Sequence, residues 1–164
     1  MKLLLKAIFF ILLISSALFS RSVDFKEGKY VEALDIFTYR DGNVSYTNQE
    51  TTIHYKDGKT IVKRDNNLTV YKRNGELLTT IDLGKRVDVS LYFKLTKALF
   101  SKDFKSLEEN FNLKEIEDKK YIFLPKDSIK NVIKDIKLTL NIDETPKEFT
   151  INFENGDIIK IETK

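Results

Sequence analysis

From Ile133 to Ile142 the chain alternates. Ile136, Leu138, Leu140 and Ile142 fall on one face, and Asp135, Lys137, Thr139 and Asn141 on the other. A strict period of two belongs to a half-buried antiparallel strand. Phe149, Ile151 and Phe153 repeat the pattern, and Ile159 and Ile161 carry a return strand beyond Asn155-Gly156. The faces decide the register of this hairpin. A two-residue loop at Asn155-Gly156 would set Ile151 opposite Lys160. A three-residue loop, Glu154 to Gly156, sets Ile151 opposite Ile159 and Phe149 opposite Ile161. A slip of one residue would turn every side chain to the wrong face. The pattern therefore predicts the longer loop, with Gly156 in the left-handed position of a bulge. The sheet it builds has one wet face and one apolar face, and the rest of the chain must cover or line the apolar one.

Upstream, turn signals recur at short intervals. Arg21 to Tyr30 is polar and reads as a loop, and Val31 to Tyr39, with Leu34, Ile36, Phe37 and Tyr39, as the first strand. Asp41-Gly42 then turns the chain into a strand that carries Val44 and Tyr46 and runs on through Ile53 and Tyr55. Asp57-Gly58, Asp65-Asn66-Asn67 and Asn74-Gly75 separate Ile61-Val62, Leu68 to Tyr71, and Leu77 to Leu83. Short strands between Asp-Gly and Asn-Gly turns are the mark of an antiparallel meander.

After Leu83 the period changes. Leu91, Tyr92, Leu95, Ala98 and Leu99 share one face of a helix. Ser101 or Asp103 can cap a second, shorter helix with Phe104, Leu107 and Phe111. Neither helix can stand alone, so both pack on the apolar sheet face. Tyr121 to Leu124 is apolar on both faces, which predicts a strand covered on both sides. Pro125 ends it, and Pro146 falls in the loop before Phe149. Strands, then helices, then strands, without repeat or linker, predict a mainly β, α+β fold: a strongly curved antiparallel sheet, an incomplete barrel, with helices covering its concave face. Its inside is either an ordinary filled core or a cavity of lipid size.

Composition narrows the chemistry. The 164 residues contain no cysteine, which excludes disulfides, a thiol nucleophile and an acylated-cysteine anchor. Met1 to Ser20 reads as a secretory signal, with Lys2 and Lys6 before the apolar run Ala7 to Ile14, and residues 21–164 as one domain working outside the cytoplasm. Cleavage would follow Ala17 or Ser20, and an uncleaved anchor is the alternative. Without the two leader lysines, 26 basic residues face 25 acidic ones, which leaves no electrostatic footprint for nucleic acid. His54 is the sole histidine and alternates with Ile53 and Tyr55 on a strand, pointing to solvent. No serine stands in a Gly-x-Ser-x-Gly elbow, no phosphate loop is present, and Asp41, Asp57 and Asp65 are turn formers whose spacing fits no calcium loop. Nothing in the sequence supplies a catalytic, metal or cofactor site.

From about Asp35 to Lys164, and more weakly before Leu68, the chain resembles a divergent member of the LolA family of periplasmic carriers of outer-membrane lipoproteins. The resemblance rests on the segment from Leu91 to Phe111, on Tyr121-Ile122-Phe123-Leu124-Pro125-Lys126, on the strand ending Ile136-Lys137-Leu138, and on the hairpin Phe149 to Ile161 with Asn155-Gly156-Asp157 at its tip. It implies a non-enzymatic, monomeric periplasmic protein whose helices lid a hydrophobic cavity for acyl chains. Cargo would pass from an inner-membrane release complex to an outer-membrane receptor. The cavity would be lined by Val44, Tyr46, Ile53, Ile136, Leu138, Leu140, Phe149 and Ile151 from the sheet, and by Leu91, Leu95, Leu99 and Phe104 from the helices. The family's Arg-Pro pair, whose Arg latches the lid, has no counterpart; Gln49-Glu50 stands nearest. Alternatives are a relative that binds another lipid or glycolipid, or a docking module without a ligand.

Overall fold

The computed structural model describes residues 21–47 and 49–164. The expected leader, Met1 to Ser20, lies outside the described residues. Among these residues the strands are β1 (Arg21–Val31), β2 (Ile36–Tyr46), β3 (Glu50–Tyr55), β4 (Thr60–Arg64), β5 (Asn67–Tyr71) and β6 (Leu77–Asp82). After the helix α1 (Val87–Ser101) come β7 (Phe111–Glu117), β8 (Lys120–Pro125), β9 (Ile133–Leu140), β10 (Pro146–Phe153) and β11 (Ile158–Thr163). They form one antiparallel sheet in the order β6-β5-β4-β3-β2-β1-β11-β10-β9-β8-β7. Strands paired in the sheet follow one another in sequence except at the seam, where β1 meets β11.

The sheet is open and curved. Laid flat, ten strand spacings would span about 48 Å. Yet Leu68 and Val70 near one edge share a single buried cluster with Phe111 and Phe123 near the other, and with α1. A helix about 10 Å across reaches both only if the sheet curls around it. The expected architecture is therefore present, with one α-helix in the concavity.

The C-terminal hairpin is the one the pattern predicts. Phe149 stands opposite Ile161 and Ile151 opposite Ile159. Phe153 N–H donates to the Asp157 carbonyl at 3.0 Å, which leaves Glu154 to Gly156 as the loop, and Gly156 has φ 87°. The turns at Asp57-Gly58, Asp65-Asn66 and Asn74-Gly75 also fall where expected, with left-handed φ at Gly58, Asp65 and Gly75.

The segment from Arg21 to Tyr55 departs most from expectation. Arg21 to Tyr30 is not a loop but most of β1, and Val31 to Tyr39 is not one strand. The chain reverses within it, at Asp35 with φ 51°. Asp41-Gly42 lies inside β2. Glycine is there for room: a Cβ on Gly42 would come within 2.8 Å of the Phe25 ring and 2.9 Å of the His54 carbonyl oxygen. The strand also does not run from Val44 through Tyr55. Thr47 breaks it, its hydroxyl accepting from Glu50 N–H at 3.1 Å.

Four further expectations fail in the second half. Phe104–Leu107 is a single 3-10 turn, capped as expected by Asp103, and Phe111 opens β7. Pairing with β8 gives that segment backbone partners which a short helix would lack. Tyr121 to Leu124 is covered on one side only: Phe123 is buried while Leu124 is exposed. Ile142 is 91% exposed, because β9 ends at Leu140 and Asn141 N–H turns to the Thr145 carbonyl. Pro146 does not lie in a loop but opens β10.

Candidate functional site

Cross-strand pairing sets the inner face of the sheet in rows. One row runs Tyr121, Leu138, Phe149 and Ile161 across β8, β9, β10 and β11. The next runs Phe123, Ile136, Ile151 and Ile159. On the other flank Val44 stands opposite Ile53. The interior side of α1 meets these rows with Leu91, Leu95, Ala98 and Leu99, all buried. Eleven of the twelve expected cavity residues thus converge on one buried interface, and eight of them (Val44, Ile53, Leu95, Leu99, Ile136, Leu138, Phe149, Ile151) are no more than 2% exposed. Phe104 is the partly buried twelfth, with its ring beside that of Phe123.

Among the described residues, polar contacts meet α1 near both ends, and Lys94 on the helix pairs with Glu109 at 2.8 Å. Tyr46 O–H donates to the Phe100 carbonyl at 2.7 Å near the C-terminal end of the helix. Near the N-terminal end, Tyr92 O–H donates to Glu27 Oε2 at 2.9 Å. Glu27 accepts a second O–H, from Tyr55, at 3.2 Å. Burial first, and the Glu27 charge second, push both phenols above their ordinary value of 10.0. Beyond the helix, Lys102 Nζ donates to the Asp143 carbonyl at 3.1 Å.

Clefts open at both ends of this interface. At the C-terminal end, a cleft of about 430 Å³ lies between Lys102, Phe104, Tyr121, Leu138 and Leu140. At the N-terminal end, clefts of about 450 and 280 Å³ share Lys29, Val89, Tyr92 and Ile159 and so make one trough. Its inner end reaches Ile53, Ile61 and Leu68.

Sequence reasoning missed the polar end of this trough. The two apolar rows do not stop at β11. The first continues from Ile161 to Glu27 and Arg40, and the second from Ile159 to Lys29 and Thr38. The signal was in β1, where Val23, Phe25, Glu27, Lys29 and Val31 alternate, but a segment read as a loop has no inner face. His54 lies where expected, exposed on β3, with Nδ1 3.0 Å from the Thr60 hydroxyl.

An unclosed antiparallel half-barrel with one helix in its concavity is the class that these elements define. No protein-family model matches the sequence, and no curated protein matches it. Among solved structures the chain is similar to a LolA superfamily protein from Nitrosomonas europaea, at 9% identity over 88% of this chain and 84% of that one, with a TM-score of 0.39. A putative outer membrane lipoprotein-sorting protein domain from Vibrio parahaemolyticus gives 8% identity over 87% and 82%, with a TM-score of 0.40. The lipoprotein LppX of Mycobacterium tuberculosis gives 15% identity over 92% and 88%, with a TM-score of 0.39.

Proposed function

We propose that the protein is a non-enzymatic carrier that shelters acyl chains between the concave sheet face and α1. The observation that carries this reading is the interface itself: one amphipathic helix, tied to the sheet by a few hydrogen bonds, covers an apolar surface with clefts at both ends. A chain entering from either cleft would slide under α1 and replace its contacts with like contacts. Each methylene buried contributes about 0.8 kcal/mol, so one or two long chains suffice for affinity without specific polar groups. The twelve converging residues, from Val44 to Ile151 on the sheet and Leu91 to Phe104 opposite, are the receiving surface. Motion of α1 is the gate, and the hydrogen bonds of Tyr46 and Tyr92 are contacts that it would break.

The LolA resemblance of the C-terminal half supports acylated lipoprotein as cargo, the periplasm as the place of work, and handover from an inner-membrane release complex to an outer-membrane receptor. Native mass spectrometry of the mature protein, offered a triacylated lipopeptide and its deacylated form, tests the reading. A complex with the acylated form alone is expected. Binding of neither would leave the interface a filled core and remove the carrier function while keeping the fold.

A further inference from the structure

The covered face of a sheet is ordinarily apolar, and departures from that pattern gather at functional sites. Here the departure is confined. The rows that cross the concave face are apolar from β8 to β11 and turn polar at β1 and β2, with Glu27, Lys29, Thr38 and Arg40 on the same side. These four line the trough at the N-terminal end of α1 together with Ile53, Ile61 and Leu68. The trough therefore has an apolar inner end and a charged mouth.

The charges at the mouth are not equivalent. The Glu27 carboxylate is engaged by the hydroxyls of Tyr55 and Tyr92. The Arg40 guanidinium lies over the Tyr55 ring, 5.5 Å from its centroid, and makes no ion pair among the described residues. Lys29 makes none either. On the opposite face Lys160 bridges Glu148 and Glu162, and at the end of β11 Lys164 pairs with Asp41, while Lys26 lies over the Tyr39 ring. Two cations that border a cleft with an apolar inner end, and that make no ion pair among the described residues, are placed for an anion that arrives with an apolar body.

We propose that the trough binds an acyl amphiphile with an anionic phosphate headgroup, its chain under α1 and its phosphate between Lys29 and Arg40. The joined clefts, about 450 and 280 Å³, fall within the size of small-molecule sites. The planar guanidinium of Arg40 can meet a phosphate with two parallel N–H bonds, while Lys29 supplies a point charge. The inference rests on the concave face being an acyl-chain receptor, but not on the chains belonging to a lipoprotein.

The test compares two amphiphiles of one chain length, lysophosphatidylglycerol and the uncharged monoacylglycerol, by titration of the mature protein below their micelle concentrations. The anionic form is expected to bind about tenfold more tightly, the gain of one good charge-assisted contact. Lys29→Gln with Arg40→Gln brings its Kd to that of the neutral form and leaves the neutral Kd unchanged. Lys29→Gln alone, which keeps the Arg40–Tyr55 stack, removes part of the preference. Equal wild-type affinities, or a preference that survives the double variant, overturn the inference and leave the carrier reading in place. Binding of neither amphiphile overturns both.

Discussion

The two halves of α1 meet the same sheet in different ways. The C-terminal half sends Leu95, Ala98, Leu99 and Phe100 into a sealed interface, where the Phe100 ring stands edge-on to Phe149 at 5.6 Å. The N-terminal half carries Val89 and Tyr92, which are partly buried and border the trough. The C-terminal half is packed core, while the N-terminal half buries Leu91 and Phe93 but turns Val89 and Tyr92 to the cleft. The difference lies less in the helix than in what faces it: isoleucines and Phe149 at one end, and Glu27, Lys29 and Arg40 at the other. A helix anchored at one end and loosely bordered at the other can tilt without leaving the sheet.

The largest expected effect breaks the sealed end. Leu99→Ala should cost about 2–5 kcal/mol in urea unfolding, because the site is closed and cannot collapse fully. Val89→Ala, on the trough, should cost clearly less, since part of its surface already faces solvent. Equal costs would mean that the two halves are packed alike. Next is Tyr46→Phe. It leaves the Phe100 carbonyl without its side-chain donor, and should lower stability by about 1 kcal/mol and speed hydrogen exchange at the C-terminal turn of α1.

The smallest effect sharpens the comparison from the other end. Tyr92 is held above its ordinary value of 10.0, first by burial and then by Glu27. A raised folded value means that the stabilisation is complete below the unfolded tyrosine value and is lost as pH rises from there through the folded one. The urea midpoint should therefore fall as pH rises above about 10, and fall less in Tyr92→Phe. An unchanged alkaline decline in that variant would show that the Tyr92–Glu27 contact does not couple the helix to the sheet.

The sequence was most legible where one face is apolar without exception. Ile136, Leu138, Phe149, Ile151, Ile159 and Ile161 dictate both the hairpin register and the left-handed Gly156. The helix was legible from its period, and so were the turns that need positive φ. The β1–β2 pair was not, for two physical reasons. Gly42 gives up its side chain to make room for Phe25, and so mimics a turn. Glu27, Lys29 and Arg40 occupy inward positions, and so break the alternation that marks a strand. The outer side of the same hairpin adds to the disguise. Phe37 and Tyr39 stack there at 4.8 Å over Gly28, exposed, so the apolar positions point away from the core. The candidate site was half legible on the same grounds: the apolar rows could be read, and their charged continuation could not.

The seam between β1 and β11 has a temporal consequence. Every other pairing in the sheet joins strands that follow one another, so the arms β1 to β6 and β7 to β11 can each zip up from local hairpins. The seam brings Asp24 to Lys164, whose N–H donates to the Asp24 carbonyl at 2.9 Å. On a chain made from its N-terminus, β1 waits with one edge bare until β11 has been made. The middle of the sheet, where the trough has its charged mouth, is thus closed only after both arms exist.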